Sequence, residues 1–139
     1  MSLLQQQIEG IPLPVPTDTS QPFWDACREN KLLYQRCQAC GAALFNPAAS
    51  CRRCLSPDLS WEESAGQGAV YSWTVVWRPQ TPAFTVPYAV IIIDMDEGYQ
   101  MLSSLIDCDA DVLRLGLRVK VDFRPISDEI TLPYFRLAE

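Results

Sequence analysis

Residues 37–54 read Cys37-Gln-Ala-Cys40-Gly41-Ala-Ala-Leu-Phe-Asn46-Pro-Ala-Ala-Ser50-Cys51-Arg-Arg-Cys54. Two C-x-x-C pairs separated by ten residues bring four thiolates to one tetrahedral ion, and Gly41 supplies the tight turn after the first pair. Ala42–Ser50 between them has the length of a short hairpin. This spacing defines a zinc ribbon, with Cys37, Cys40, Cys51 and Cys54 as the ligands. A rubredoxin-like iron is the alternative, because four-sulfur tetrahedral sites accept both metals. With four protein thiolates no coordination position stays open, so the expected zinc is structural and not a Lewis acid.

Working outward, Leu32–Arg36 reads as a strand entering the first knuckle. Before it, Ser20–Asn30 predicts a short helix, with Thr19 or Ser20 as cap, Pro22 in the first turn and Asn30 ending it. Its apolar face, Phe23, Trp24 and Cys27, is expected to pack on the ribbon. Residues 1–19, with Ile11-Pro-Leu-Pro-Val-Pro16, form an extended proline-rich arm, docked through Ile11, Leu13 and Val15 or free.

Beyond Ser56-Pro57-Asp58 the pattern is strands. Leu59–Ser64 and Ala69–Arg78 read as one long strand bent at Gly66 and Gly68. A proline-punctuated loop, Pro79–Pro87, leads to Tyr88–Met95, and Asp96-Glu-Gly98 turns into Tyr99–Asp107. Asp109–Leu115 is one or two helical turns, and Leu117–Pro125 and Ile130–Leu137 are the last strands. Three strands, a short helix and two strands is the order of an OB-fold. The chain is thus mostly β: helix and ribbon over residues 20–57, then a five-stranded OB-fold barrel over 58–139.

Composition narrows the chemistry. The 139 residues include six cysteines and no histidine, which removes histidine-based catalytic machinery and histidine zinc sites. Cys27 and Cys108 stand outside the knuckles with no evident base and read as small core residues. The carboxylates Asp94, Asp96, Asp107, Asp109 and Asp111 border a turn or a helix start, where capping explains them. The longest apolar run, Ala89–Ile93, is strand-sized, and the N-terminal residues carry no secretion-signal pattern. A cytoplasmic location with reduced cysteines is expected.

The first 55 residues carry five basic and four acidic side chains; the remainder carries six and thirteen. Arg36, Arg52 and Arg53 cluster near the knuckles, where they either receive phosphates or offset the metal site's negative charge. Trp77, Arg78 and Phe84 sit on the loop at the expected barrel mouth, as candidates for ligand contact. Nucleic-acid binding is the competing function, with Tyr71, Trp73, Trp77 and Phe84 as stacking platforms. The acidity of the barrel half opposes it.

Several strings carry a family likeness: Gln21-Pro-Phe-Trp24, Lys31-Leu-Leu-Tyr-Gln-Arg-Cys37, both knuckles, Tyr71-Ser-Trp-Thr-Val-Val76, Pro87-Tyr88, Asp96-Glu-Gly98 and Leu132-Pro-Tyr-Phe-Arg136. Together they resemble the zinc-ribbon/OB-fold family once catalogued as domain of unknown function thirty-five, over about residues 11–138. The resemblance implies a non-catalytic accessory subunit that binds or channels acyl-CoA. The implied partners are thiolase-fold enzymes, aldolases built on that fold, or hydratases, in lipid or steroid metabolism. The reaction of the complex would be acyl transfer, thiolysis or retro-aldol cleavage. One departure stands out: Asn46-Pro-Ala-Ala-Ser50 replaces the Pro-Pro-Arg that many relatives carry before the second knuckle. That weakens any anion contact carried over from the missing arginine, for which Arg52 or Arg53 is the candidate substitute.

Overall fold

Gly68 shows how tightly the strands approach one another: a Cβ there would collide with the carbonyl oxygen of Asp94 and with Ile93. It lies near the start of β4 (Gln67–Val76), the central strand of a five-stranded antiparallel sheet. The structure, a computed structural model, describes residues 2–138. Around β4 the sheet runs β6 (Gln100–Ser103), β5 (Tyr88–Met95), β4, β7 (Arg118–Pro125) and β8 (Thr131–Leu137). A 3₁₀ turn, Ala110–Val112, separates β6 from β7, and Asp109 caps it by accepting from the Asp111 backbone N–H at 2.9 Å.

The sheet curls until its outer strands approach. Leu105 and Phe135 form a parallel bridge there, with Phe135 N donating to Ser104 O at 2.9 Å and Ile106 N to Phe135 O at 2.8 Å. This is an OB-fold. Alternation along β5 turns Ala89, Ile91, Ile93 and Met95 into the core, where they meet Val70, Val119, Leu105 and Phe135. Bulky β-branched residues on the inward face make that strand the centre of the hydrophobic cluster.

The long bent strand expected from the sequence divides between two sheets. Its first half, β3 (Leu59–Ser64), pairs with β1 (Leu32–Cys37) from Leu32↔Ser64 to Cys37↔Leu59. On β1's other side lies β2 (Ala43–Leu44), completing the ribbon sheet β2-β1-β3. The corner falls at Ser64–Gly66. The β-bulge lies not at the glycines but between Val70 and Ser72, where Tyr71 is the extra residue. Glu97, from the β5–β6 turn, braces the corner by accepting from Ser64 Oγ at 2.8 Å and Ala65 N at 2.7 Å.

Helix α1 (Gln21–Arg28) has Pro22 in its first turn, and Asn30 beyond it adopts the left-handed region at φ 62°. The expected side-chain cap is absent: Ser20 Oγ is engaged by Thr17, accepting from its backbone N–H at 2.9 Å. Nor does the helix rest on the ribbon alone. Phe23 meets Phe45 of the ribbon edge-on at 5.3 Å, while the helix also contacts β7 and β8. It fills the angle between ribbon and barrel.

The arm docks most deeply through Leu4, and of the residues singled out in the sequence Ile11 is half-buried. Leu4 is 1% exposed, with its N–H donating to Cys108 O at 2.8 Å, whereas Val15 is 85% exposed. Gln7 exchanges two hydrogen bonds with the Thr85 backbone, and its own N–H donates to Tyr134 Oη.

Candidate metal centre and adjoining cavity

The two knuckles repeat one local geometry. Gly41 N donates to Cys37 O at 2.8 Å, and Leu55 N donates to Cys51 O at 2.9 Å. Each turn ends in the left-handed region, Gly41 at φ 80° and Leu55 at φ 68°. The first uses the residue that adopts this region freely; the second forces a leucine into it. The β1–β2 ladder and the Cys37 N–H to Ala42 O bond hold the first knuckle, and Cys51 N donating to Ser56 O holds the second.

These turns bring the Sγ atoms of Cys37, Cys40, Cys51 and Cys54 within 4.8 Å of one another. Two contacts are 3.5 Å (Cys37 to Cys54) and 3.7 Å (Cys40 to Cys51). A tetrahedron with metal–sulfur bonds of ~2.3 Å has edges of about 3.8 Å, so the donor set fits one tetrahedral ion. Cys37 and Cys51 are buried while Cys40 and Cys54 are exposed.

Backbone N–H groups prepare the buried pair as thiolates. That of Cys54, followed by that of Arg53, holds the Cys51 thiol down to about 6, and the N–H of Cys40 leads in lowering Cys37. Ser56 N–H draws Cys54 down as well, but its hydrogen bond with Cys37, then burial and the other two thiols, outweigh it and leave it at about 12. Four crowded sulfurs cannot all ionise without a cation among them.

The remaining sequence-singled residues are dispersed. Arg36 is spent on the ribbon: it donates to Gly41 O at 3.0 Å and Tyr34 Oη at 2.9 Å and pairs with Glu62 at 3.5 Å. Arg52 and Arg53 are exposed on the second knuckle, with Arg52 reaching Asn46 O at 3.4 Å. Trp77 and Arg78 are exposed at the end of β4, and Phe84 is half-buried, stacked on Tyr88 at 6.0 Å. The acidic cluster is structural: Asp96 pairs with Arg118 at 2.8 Å, Asp107 and Asp122 each with Arg124 at 2.7 Å. Burial pushes the Cys27 thiol up to about 12, and burial, followed by Asp107 and Asp109, raises Cys108. Both stay protonated at neutral pH.

One feature escaped sequence reasoning. Between arm, helix, ribbon and barrel lies a cavity of about 330 Å³, walled by Ile11, Phe23, Trp24, Phe45, Val90 and Leu132 among others. None of Arg36, Arg52, Arg53, Trp77, Arg78 or Phe84 lines it. Its residues come from positions 7 to 134 and share no periodicity, so no local pattern announces it. The pairing of Phe23 with Trp24 at the start of α1 is its sole local trace.

The ribbon and the barrel each match a family model. Residues 24–60 match "ChsH2, rubredoxin-like zinc ribbon domain" and residues 61–124 match "ChsH2, C-terminal OB-fold domain". The chain belongs to the ChsH2 zinc-ribbon/OB-fold family, the DUF35 proteins. It is 37% identical over 117 residues to a probable enoyl-CoA hydratase alpha subunit of Thermomonospora curvata, covering 84% of this chain and 37% of that protein. It therefore spans little more than a third of that relative's length. Against a DUF35 domain-containing scaffold protein of Methanothermobacter thermautotrophicus it is 28% identical over 116 residues, covering 81% and 86%. Among solved structures, the "Ltp2-ChsH2(DUF35) aldolase" superposes with a TM-score of 0.82 and 33% identity, covering 91% of this chain and all of that one. Among the described residues no helix is long and apolar enough to cross a membrane.

Proposed function

We propose that this chain is a non-catalytic accessory subunit of an acyl-CoA-using enzyme. It holds a structural zinc and presents its barrel to a catalytic partner. The observation that carries the reading is the match, at 33% identity and over the whole of the other chain, to the DUF35 member of an aldolase. The relative named as a hydratase alpha subunit points to the same class of partner. A thiolase-fold enzyme running acyl transfer, thiolysis or retro-aldol cleavage is the partner we favour, since acyl thioesters serve all three.

The surface supports the role of a subunit. Tyr71, Trp73, Trp77 and Leu102 are 55%, 39%, 59% and 63% exposed, rings and an aliphatic chain that a protein interface would cover. Nucleic acid would use the same rings for stacking, but thirteen acidic against six basic side chains beyond residue 55 repel a phosphate backbone. The zinc at Cys37, Cys40, Cys51 and Cys54 would hold the two knuckles together. With four thiolate ligands it has no position for substrate. The acid, base and nucleophile then come from the partner.

The test is native co-purification. The tagged chain, isolated from the cells that make it, is expected to carry a stoichiometric second subunit that mass spectrometry identifies as an acyl-CoA-using enzyme. A chain that elutes alone, or that turns over an acyl thioester unaided, overturns the assignment.

A further inference from the structure

We infer that the cavity between the arm, α1, the ribbon and the barrel is the seat of an uncharged hydrocarbon acyl chain. This rests on the acyl-CoA reading above and assigns a place to the chain that the thioester carries. Three features converge on it. A volume of about 330 Å³ falls in the range of small-molecule sites, roughly 300–1,000 Å³. The walls come from four separate parts of the fold: Ile11 of the arm, Phe23 and Trp24 of α1, Phe45 of the ribbon, and Val90 and Leu132 of the barrel. Such a hollow takes a slender ligand and not the flat face of another protein.

The chemistry of the wall selects the ligand. Among the described residues it contains no charged side chain. Its polar groups are largely committed: Gln7 to Thr85, Ser103 Oγ to Pro133 O at 2.6 Å, and Tyr134 Oη to Gln7 N. An occupant therefore gains from removing apolar surface from water, which favours a methylene chain and rejects one ending in a carboxylate.

The rim suits the remainder of the thioester. Tyr88, in the wall, is stacked by Phe84 at 6.0 Å and receives a hydrogen bond from Gln80 Nε2. The loop 77–87 is thereby fixed beside the cavity. Arg78, two residues before Gln80, is exposed and has no carboxylate within 4.0 Å among the described residues. That guanidinium, on the loop next to the cavity wall, is our candidate contact for the phosphates of CoA.

Calorimetric titration of the full chain with CoA, acetyl-CoA, octanoyl-CoA and the eight-carbon acyl-CoA ending in a carboxylate tests the assignment. Octanoyl-CoA is expected to bind at least tenfold more tightly than acetyl-CoA, since each buried methylene contributes about threefold to fourfold; the ω-carboxylate should forfeit that gain. Val90→Phe and Leu132→Phe each enlarge a half-buried wall residue and should erase the chain-length gain while leaving CoA itself within about twofold. A chain brominated at its tip should quench Trp24, and W24F should lose that quenching; this readout does not depend on either filled variant folding. Tight octanoyl-CoA binding that survives both folded variants, or without quenching of Trp24, overturns the assignment. Equal affinity for every CoA derivative removes the cavity's role and leaves the acyl-CoA reading standing. Failure of all four to bind removes the cavity assignment, and the subunit reading is then decided by the co-purification alone.

Discussion

The tip of the ribbon holds a small cluster, Cys37, Ala42, Leu44 and Cys51 with Leu59 packed against it, and half of its members are thiols. The barrel gathers Val70, Ile91, Ile93, Leu105, Val119 and Phe135, each no more than 2% exposed, into one continuous core. Strand β1 belongs to both: Leu32 and Tyr34 join the main core, while Cys37 joins the tip. The same short strand passes from a region held by excluded water to one that a metal must hold. A two-residue β2 and a ribbon of three strands bury too little apolar surface to fold alone, so a metal bond replaces a core there.

Removing the metal should separate the two regions most sharply. In Cys37→Ser, or in the native chain with a strong chelator, the site loses a ligand set whose zinc affinity is of order 10–16 kcal/mol. The expected result is zinc content falling from one ion per chain to none, with amide protection lost over β1's end, β2 and both knuckles. Protection in β5 should persist. Loss of protection in β5 at the same zinc concentration would show that ribbon and barrel are one cooperative unit.

The reciprocal experiment strikes the barrel. Phe135 is fully buried at the closing bridge, and Phe135→Ala should cost about 3–5 kcal/mol. Urea unfolding followed by tryptophan fluorescence should show that loss as a lower midpoint, with zinc content unchanged in the absence of denaturant. Release of zinc by this substitution alone would break the contrast.

The smallest effect concerns the mismatch between the knuckles. Leu55 is 77% exposed and held at φ 68°, so its side chain contributes little burial and its backbone is strained. Leu55→Gly should stabilise the second knuckle by about 1 kcal/mol, seen as slower zinc loss to a chelator. Faster loss would mean that Leu55 has a packing role its exposure does not reveal.

Much of this molecule was legible in one dimension, for identifiable reasons. Two C-x-x-C pairs tie four ligands to one ion wherever the chain folds around them, and turns at Gly41, Gly98 and Gly116 require the positive φ that each glycine adopts. The β-branched run of β5 marked a strand by its packing preference, and the alternation in β7 did so because side chains point to opposite faces with period two. The arm was harder to read. Its prolines and Ile11, Leu13 and Val15 drew attention, yet Leu4 carries the burial, because docking depends on which backbone groups the barrel leaves unpaired near Cys108 and Pro87. Nor could the sequence show the partners of Arg36, since Tyr34, Glu62 and Gly41 surround it only in the fold.

The sequence by itself determined the metal-ligand pattern, the order of strands and the absence of any histidine to catalyse a reaction. These depend on residue type and short spacing, and local chemistry is enough to read them. Tertiary structure alone decided that β3 serves the ribbon and not the barrel, that α1 wedges between the two, and that a cavity opens where Ile11, Phe23, Phe45 and Leu132 converge. Pairing partners and enclosed volume are properties of segments far apart in the chain. They exist only once the core has drawn those segments together.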